Sequence, residues 1–172
     1  TWAADEAREQ QRIQAEQMRV KAVEAEKIRI KSEIELQLKT YFLNFTDNEQ
    51  TAFIQKFENL TLANFDFEAK QLINFEPAYP FIHFESFKPT VSSQYLNLTD
   101  IGNILVNAKM GKFEEFAVEF KETLLGIKEI FVEKLASKKA ELQEIANANA
   151  VEKQRLEKEA EERKIDESEK LK

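Results

Sequence analysis

The chain has 172 residues, 33% of them charged, with 32 acidic against 25 basic side chains and no cysteine. That composition excludes disulfides, thiolate metal sites and thiol nucleophiles, and a net charge of -7 disfavours generic binding to a phosphate backbone. No apolar run approaches the ~20 residues of a membrane span, so a cytoplasmic location is expected. The sequence begins at Thr1 without an initiator methionine, which suggests a piece or a processed product of a longer chain.

Apolar mass is unevenly placed. All 14 phenylalanines lie between Phe42 and Phe131, and the flanks use Ala, Ile, Leu, Glu, Lys, Arg and Gln, residues that lose little freedom in a helix. Only three glycines and three prolines occur, too few for the turns of an all-β fold. An all-α protein is expected, with three parts: an N-terminal coiled-coil arm over residues 1–41, a Phe-rich helical core over 42–131, and a C-terminal coiled-coil arm over 132–172 whose tail from about residue 161 is expected to be disordered.

In the first arm Val20, Val23, Ile30, Ile34, Leu38 and Tyr41 recur at helical steps, and the stripe thins to alanines towards Thr1. Thr46 and Glu49 have capping-box spacing, which predicts a helix boundary near residue 46 and a new helix over about 48–60, with Ala52, Phe53, Phe57 and Leu60 inward. A short helix is predicted over 65–73. All three prolines, Pro77, Pro80 and Pro89, fall in an aromatic segment over 75–89, which predicts an extended strap with a short strand at 81–85. The hexapeptide from Tyr95 to Asp100 echoes that from Phe42 to Asp47, as if one N-cap were used twice. A helix from Asp100 is then expected to stop at Gly111, acting as its C-cap, and a long helix to run from Lys112 to the C-terminus.

Within that last helix Leu135, Leu142, Asn149 and Leu156 are seven apart, and a polar residue between seam leucines fixes register or oligomer state in coiled coils. Paired antiparallel, the two arms would form a stalk carrying the core. Paired between chains, they would give a homo-oligomer. Val23, Ile30, Ile34, Leu135, Leu142, Asn149 and Leu156 are the expected assembly residues.

Chemistry-bearing groups are sparse. His83 is the single histidine and lies among Phe81, Ile82 and Phe84, where packing is the expected role. No Asp or Glu is followed three positions later by a histidine, and no glycine-rich phosphate loop or nucleophile elbow is present. Neither an enzymatic role nor a cofactor or metal is therefore expected. Three N-x-T triplets, at Asn44, Asn59 and Asn97, are read as helix-start chemistry rather than glycan acceptors.

The stretch from Leu98 to Leu105 resembles the first helix of helix-turn-helix segments in phage antirepressor-like proteins, through its Thr99-Asp100-Ile101-Gly102 opening. That resemblance implies a nucleic-acid-associated accessory protein of a phage or mobile element, using the 99–107 helix beside Lys109, Lys112, Lys121 and Lys128. The expected recognition helix is replaced by the acidic and aromatic Phe113-Glu114-Glu115-Phe116, which makes this the second reading. The first is a non-enzymatic scaffold or adaptor, bacterial or phage in character, that assembles through its arms and holds a protein partner through Tyr79, Phe81, Phe84 and Phe87.

Overall fold

The computed structural model describes residues 1–171 and is all-helical, with no strand among them. Five helices follow one another: α1 (Trp2–Glu58), α2 (Phe65–Ile73), α3 (Phe81–Glu85), α4 (Leu98–Glu133) and α5 (Leu135–Lys170). None is long and apolar enough to cross a membrane. Contacts divide the chain into two units, the first made of Thr1–Glu49 with Pro77–Leu124, the second of Gln50–Glu76 with the residues from Leu125 onward. The aromatic residues of the central segment are divided, some belonging to the first unit and the rest to the second.

In the first unit, α1 buries Ile30, Ile34, Leu38 and Phe42, each at most 1% exposed, followed by Thr46. From α4 come Ala108, Phe116, Phe120 and Leu124, and from the intervening segment Tyr79, Phe84, Phe87 and Leu96. Phe42 stacks on Phe116, centroids 4.4 Å apart and planes within 10°, and Phe45 meets Phe120 at 5.6 Å. Each such side chain contributes roughly 1.5–3 kcal/mol by leaving water.

The stretch over 86–97 has no regular structure and is pinned to α1 by polar contacts. The Gln37 amide donates to the Thr90 carbonyl at 2.9 Å and accepts from the Thr90 N–H at 2.8 Å, so one side chain satisfies both backbone groups of that residue. Arg29 Nη2 donates to the Ser92 carbonyl at 2.9 Å. These bonds let an extended strap lie on a helix without orphaned backbone groups.

The second unit is a smaller cluster of Phe53, Phe57, Leu60, Phe65, Ala69, Leu72 and Leu135, with Phe75, Ile127, Phe131, Val132 and Leu142 packed against it. Lysines bridge over its rings: Lys138 lies 5.6 Å from the Phe57 ring centre and Lys139 5.5 Å from that of Phe65, and Lys128 donates to the Phe75 carbonyl at 2.7 Å. Helix α2 occupies the span its spacing predicts.

Several boundaries differ from expectation. Thr46 caps nothing: its hydroxyl donates back to the Phe42 carbonyl at 2.9 Å, and α1 continues to Glu58. A buried threonine can satisfy its hydroxyl on the preceding turn of a helix, so the capping-box pattern is cancelled by local packing. Ala52, placed inward by the predicted 48–60 helix, is exposed. Residues 81–85 form one helical turn, not a strand; Pro80 is its extended N-cap residue, with φ -70° and ψ 123°. Gly111 ends nothing either, since none of the three glycines has positive φ and α4 runs through all of them. The long helix predicted from Lys112 is interrupted at Lys134, whose N–H reaches the Phe131 carbonyl at 3.1 Å before α5 starts. Of the two echoing hexapeptides only the second caps a helix: Asn97 Oδ1 accepts from the Asp100 N–H at 2.8 Å. Beyond Glu161, where disorder was expected, α5 continues helical to Lys170.

The buried stripe predicts a sharp contrast in stability. Phe42→Ala should cost about 3–5 kcal/mol in urea unfolding, whereas Leu36→Ala, six residues away and 67% exposed, should cost less than about 0.5 kcal/mol. Equal effects would contradict the placement of α1.

Candidate partner-binding groove

Two features of the first unit could carry function: the surroundings of His83 and a groove beside α3.

His83 sits in an aromatic cage. Its ring stacks on Tyr41 at 4.4 Å with planes 8° apart, lies 4.0 Å from Phe45, and meets Tyr79 edge-on at 5.9 Å. Nδ1 is 3.4 Å from the Tyr41 hydroxyl, a long contact, while Nε2 and the Tyr79 hydroxyl are buried without a protein partner. Burial pushes the imidazole below its ordinary pKa, with the Glu49 carboxylate opposing, and pushes the Tyr79 phenol up to about 12. The Tyr41 hydroxyl is the one hydrogen-bonding group near the imidazole among the described residues. Among the described residues no group of three or more His, Cys, Asp or Glu is gathered as for a metal ion.

The groove runs between α3 and α4. Phe81, Phe84, Val106, Met110 and Phe113 line its floor and Glu85, Lys109 and Glu114 its rim, enclosing about 450 Å³. Val106, Met110 and Phe113 share one face of α4 because they are four and three apart. Phe113 holds the two helices together, meeting Phe84 at 5.0 Å and Phe81 at 5.4 Å, both edge-on. Across this floor Phe81 is 59%, Val106 54% and Met110 75% exposed, with Ile82 76% exposed alongside. Exposed side chains of this size gathered in one cluster make this groove the candidate site. Lys109 is held in place: its ammonium donates to the Glu85 carbonyl at 2.7 Å, lies 5.8 Å from the Phe87 ring centre, and has its pKa lowered by burial.

Of the four expected partner-binding residues, Phe81 and Phe84 line this groove, with Phe81 at its surface and Phe84 beneath. Tyr79 and Phe87 are buried, at 6% and 4% exposure, and belong to the core. Val106, Met110 and Phe113 were missed because reading Gly111 as a helix end separated Met110 from Phe113. Their spacing was the signal that could have found them.

The expected assembly residues divide similarly. Ile30 and Ile34 are fully buried within the first unit and unavailable to another chain, and Val23 is half-buried. Leu135 is buried and Leu142 packed in the second unit's core, whereas Asn149 is exposed and Leu156 is 52% exposed. The helix-turn-helix expectation fails on geometry, because α4 is unbroken from Leu98 to Glu133 and supplies no turn after the 99–107 stretch. Nor do the lysines form a patch: at 100° per residue Lys112 and Lys121 point in opposite directions. Lys109 and Lys128 are engaged with carbonyls, and Lys112 is paired with Glu115.

The His83 environment predicts a pH dependence of fixed sign. With the folded-state pKa lowered, the unfolded chain binds the proton first, so stability is complete above the ordinary value of 6.5 and falls as pH drops through it. Unfolding followed between about pH 7.5 and pH 5.5 should show this slope in the native chain, and His83→Phe should flatten it. An unchanged slope in the variant would place the titrating group elsewhere.

Compared with protein-family models, with curated proteins and with solved structures, the chain matches none, so the groove's own chemistry carries the functional reading.

Proposed function

We propose that this protein is a non-enzymatic interaction module, an adaptor or scaffold that holds a protein partner in the groove between α3 and α4 and self-associates through the free part of α5. The observation that carries the reading is the cluster of Phe81, Val106 and Met110, each more than half exposed on a floor braced by Phe113. A shallow apolar floor with a charged rim suits a protein segment better than a small metabolite, which is normally enclosed on most sides.

Support for assembly comes from α5. From 147 to 158 every residue is exposed, and Asn149, Val151 and Leu156 lie on this stretch, with Ile145, 51% exposed, just before it. Arg155 bridges Glu152 at 2.5 Å and Glu159 at 2.6 Å, which supports the helix in water without covering its apolar positions. Leu142 is taken up by the second unit's core, so a weak pairing with a second copy would use Asn149 and Leu156, seven apart on the exposed stretch. The α1 arm contributes less, since its strongest apolar residues are already used inside the first unit.

Light scattering coupled to size exclusion, over a concentration series, tests the assembly. The native chain should show a concentration-dependent oligomer, Leu156→Lys should leave a monomer, and Asn149→Leu should tighten the oligomer or change its number. A monomer at every concentration in all three would end the assembly reading and leave the groove as the functional surface.

A further inference from the structure

The order of charges along the free part of α5 restricts how a second copy can lie against it. Steps of three and four place Asn149, Glu152, Leu156, Glu159, Arg163 and Asp166 on one face of the helix. Glu159 is half-buried and the other five are exposed. Leu156 is the single large apolar residue among them, so contact through this face is weak and its polar groups decide its direction. Among the described residues, both ion pairs of this stretch are made by Arg155, with Glu152 and Glu159 of its own helix. Arg163, Glu162 and Asp166 make none.

A parallel, in-register pair sets every residue of the face against its own counterpart. Glu152 would then meet Glu152, Glu159 would meet Glu159, Arg163 would meet Arg163 and Asp166 would meet Asp166, which like-charge repulsion disfavours. Reversing one helix removes all four clashes. With Glu152 opposite Arg163, the same register brings Asn149 opposite Asp166 and Leu156 opposite the aliphatic stem of Glu159. Beside the face, Arg155 comes within two residues of the level of Glu162, a carboxylate left unpaired in its own chain. Each of these contacts occurs twice, because the two copies exchange roles. Such self-complementarity on reversal is what a two-fold dimer requires.

Resting on the reading of α5 as the self-associating element, we propose that a second copy docks antiparallel on the free part of α5, with Arg163 of each copy against Glu152 of the other. The contact runs from Asn149 to Asp166, about 25 Å along the helix. Its opposite-charge pairs lie in solvent, so they set direction and register more than affinity.

The chain has no cysteine, so cysteines introduced singly on α5 report its orientation without interference. Full-length Asn149→Cys, Asp166→Cys and Gln154→Cys are treated with a short bismaleimide, Gln154 lying on the side of the helix away from Leu156. In the antiparallel pair Asn149 of one copy meets Asp166 of the other, whereas equal positions are about 25 Å apart along the axis. An equimolar mixture of Asn149→Cys and Asp166→Cys should therefore link into a mixed dimer, identified by mass, faster than either variant links with itself. Gln154→Cys sets the background rate. Arg163→Glu, added to both linking variants, should slow the mixed reaction roughly tenfold, and Glu152→Arg added to it should restore most of the rate. If Asn149→Cys and Asp166→Cys each link with themselves as fast as with one another, the pair is parallel and this inference is overturned, while self-association stands. Mixed linking at the background rate overturns it too, and if the native chain is then also a monomer in light scattering, the assembly reading falls with it. Linking unchanged by Arg163→Glu would overturn the register.

Discussion

The first unit depends on one stack, Phe42 of α1 against Phe116 of α4. Around it, α1 buries residues four apart, Ile30, Ile34, Leu38, Phe42 and Thr46. A step of four residues overshoots one helical turn by 40°, so this stripe winds about 160° around α1 over its length. One straight helix cannot cover a stripe that turns so far. The chain answers with different partners at different heights: the strap over 90–92 at Arg29 and Gln37, then the 79–87 aromatics and α4 at Tyr41, Phe42 and Phe45. The aromatic segment is thus structural before it is anything else, which is why Tyr79 and Phe87 are buried.

The arms obey a different rule. Residues 1–21 of α1 are exposed throughout, yet the sequence places Glu9 against Arg12 and Glu16 against Arg19, at 2.6 and 2.7 Å, one heptad apart. These hydrogen-bonded pairs hold Glu9 and Glu16 below the usual carboxylate range and raise their arginines correspondingly. Being fully exposed, they shape the helix locally and fade with salt; they do not replace an apolar partner. Alanine-rich positions make the α1 seam weak. In α5 Leu135 and Leu142 are used within the second unit, and Ile145, Val151 and Leu156 stay more than half exposed.

Periodicity made the all-α class, α2 and the Phe53-Phe57-Leu60 face legible, because each is a repeat that burial preserves. Single-residue punctuation was less reliable. Thr46 and Gly111 have the chemistry of helix ends, but a cap is used only where the chain gains by turning, and here both helices gain more by continuing. Thr46 satisfies its hydroxyl on its own helix, and Gly111 costs a helix only about 1 kcal/mol against the burial of Phe116, Phe120 and Leu124 on its far side. Pro80 behaved as punctuation should, fixing an extended residue before α3. Tertiary contacts such as Gln37 with Thr90 had no sequence signal at all, since nothing local links positions 53 apart.

The same misread residues decide whether the groove exists. Were 81–85 a strand, Phe81, His83 and Glu85 would alternate away from Ile82 and Phe84, and Phe81 could not share a face with Phe84. As a helical turn, residues 81, 84 and 85 fall on one side, which sets both phenylalanines against Phe113 and brings the Glu85 side chain to the rim. Were α4 to stop at Gly111, Met110 and Phe113 would belong to different elements and the floor would have no fixed spacing. One proline-started turn facing one uninterrupted helix therefore produces the apolar floor and its charged edge together. Phe84 and Phe116 anchor that arrangement in the core, so the groove stands ready-formed beside a packed wall.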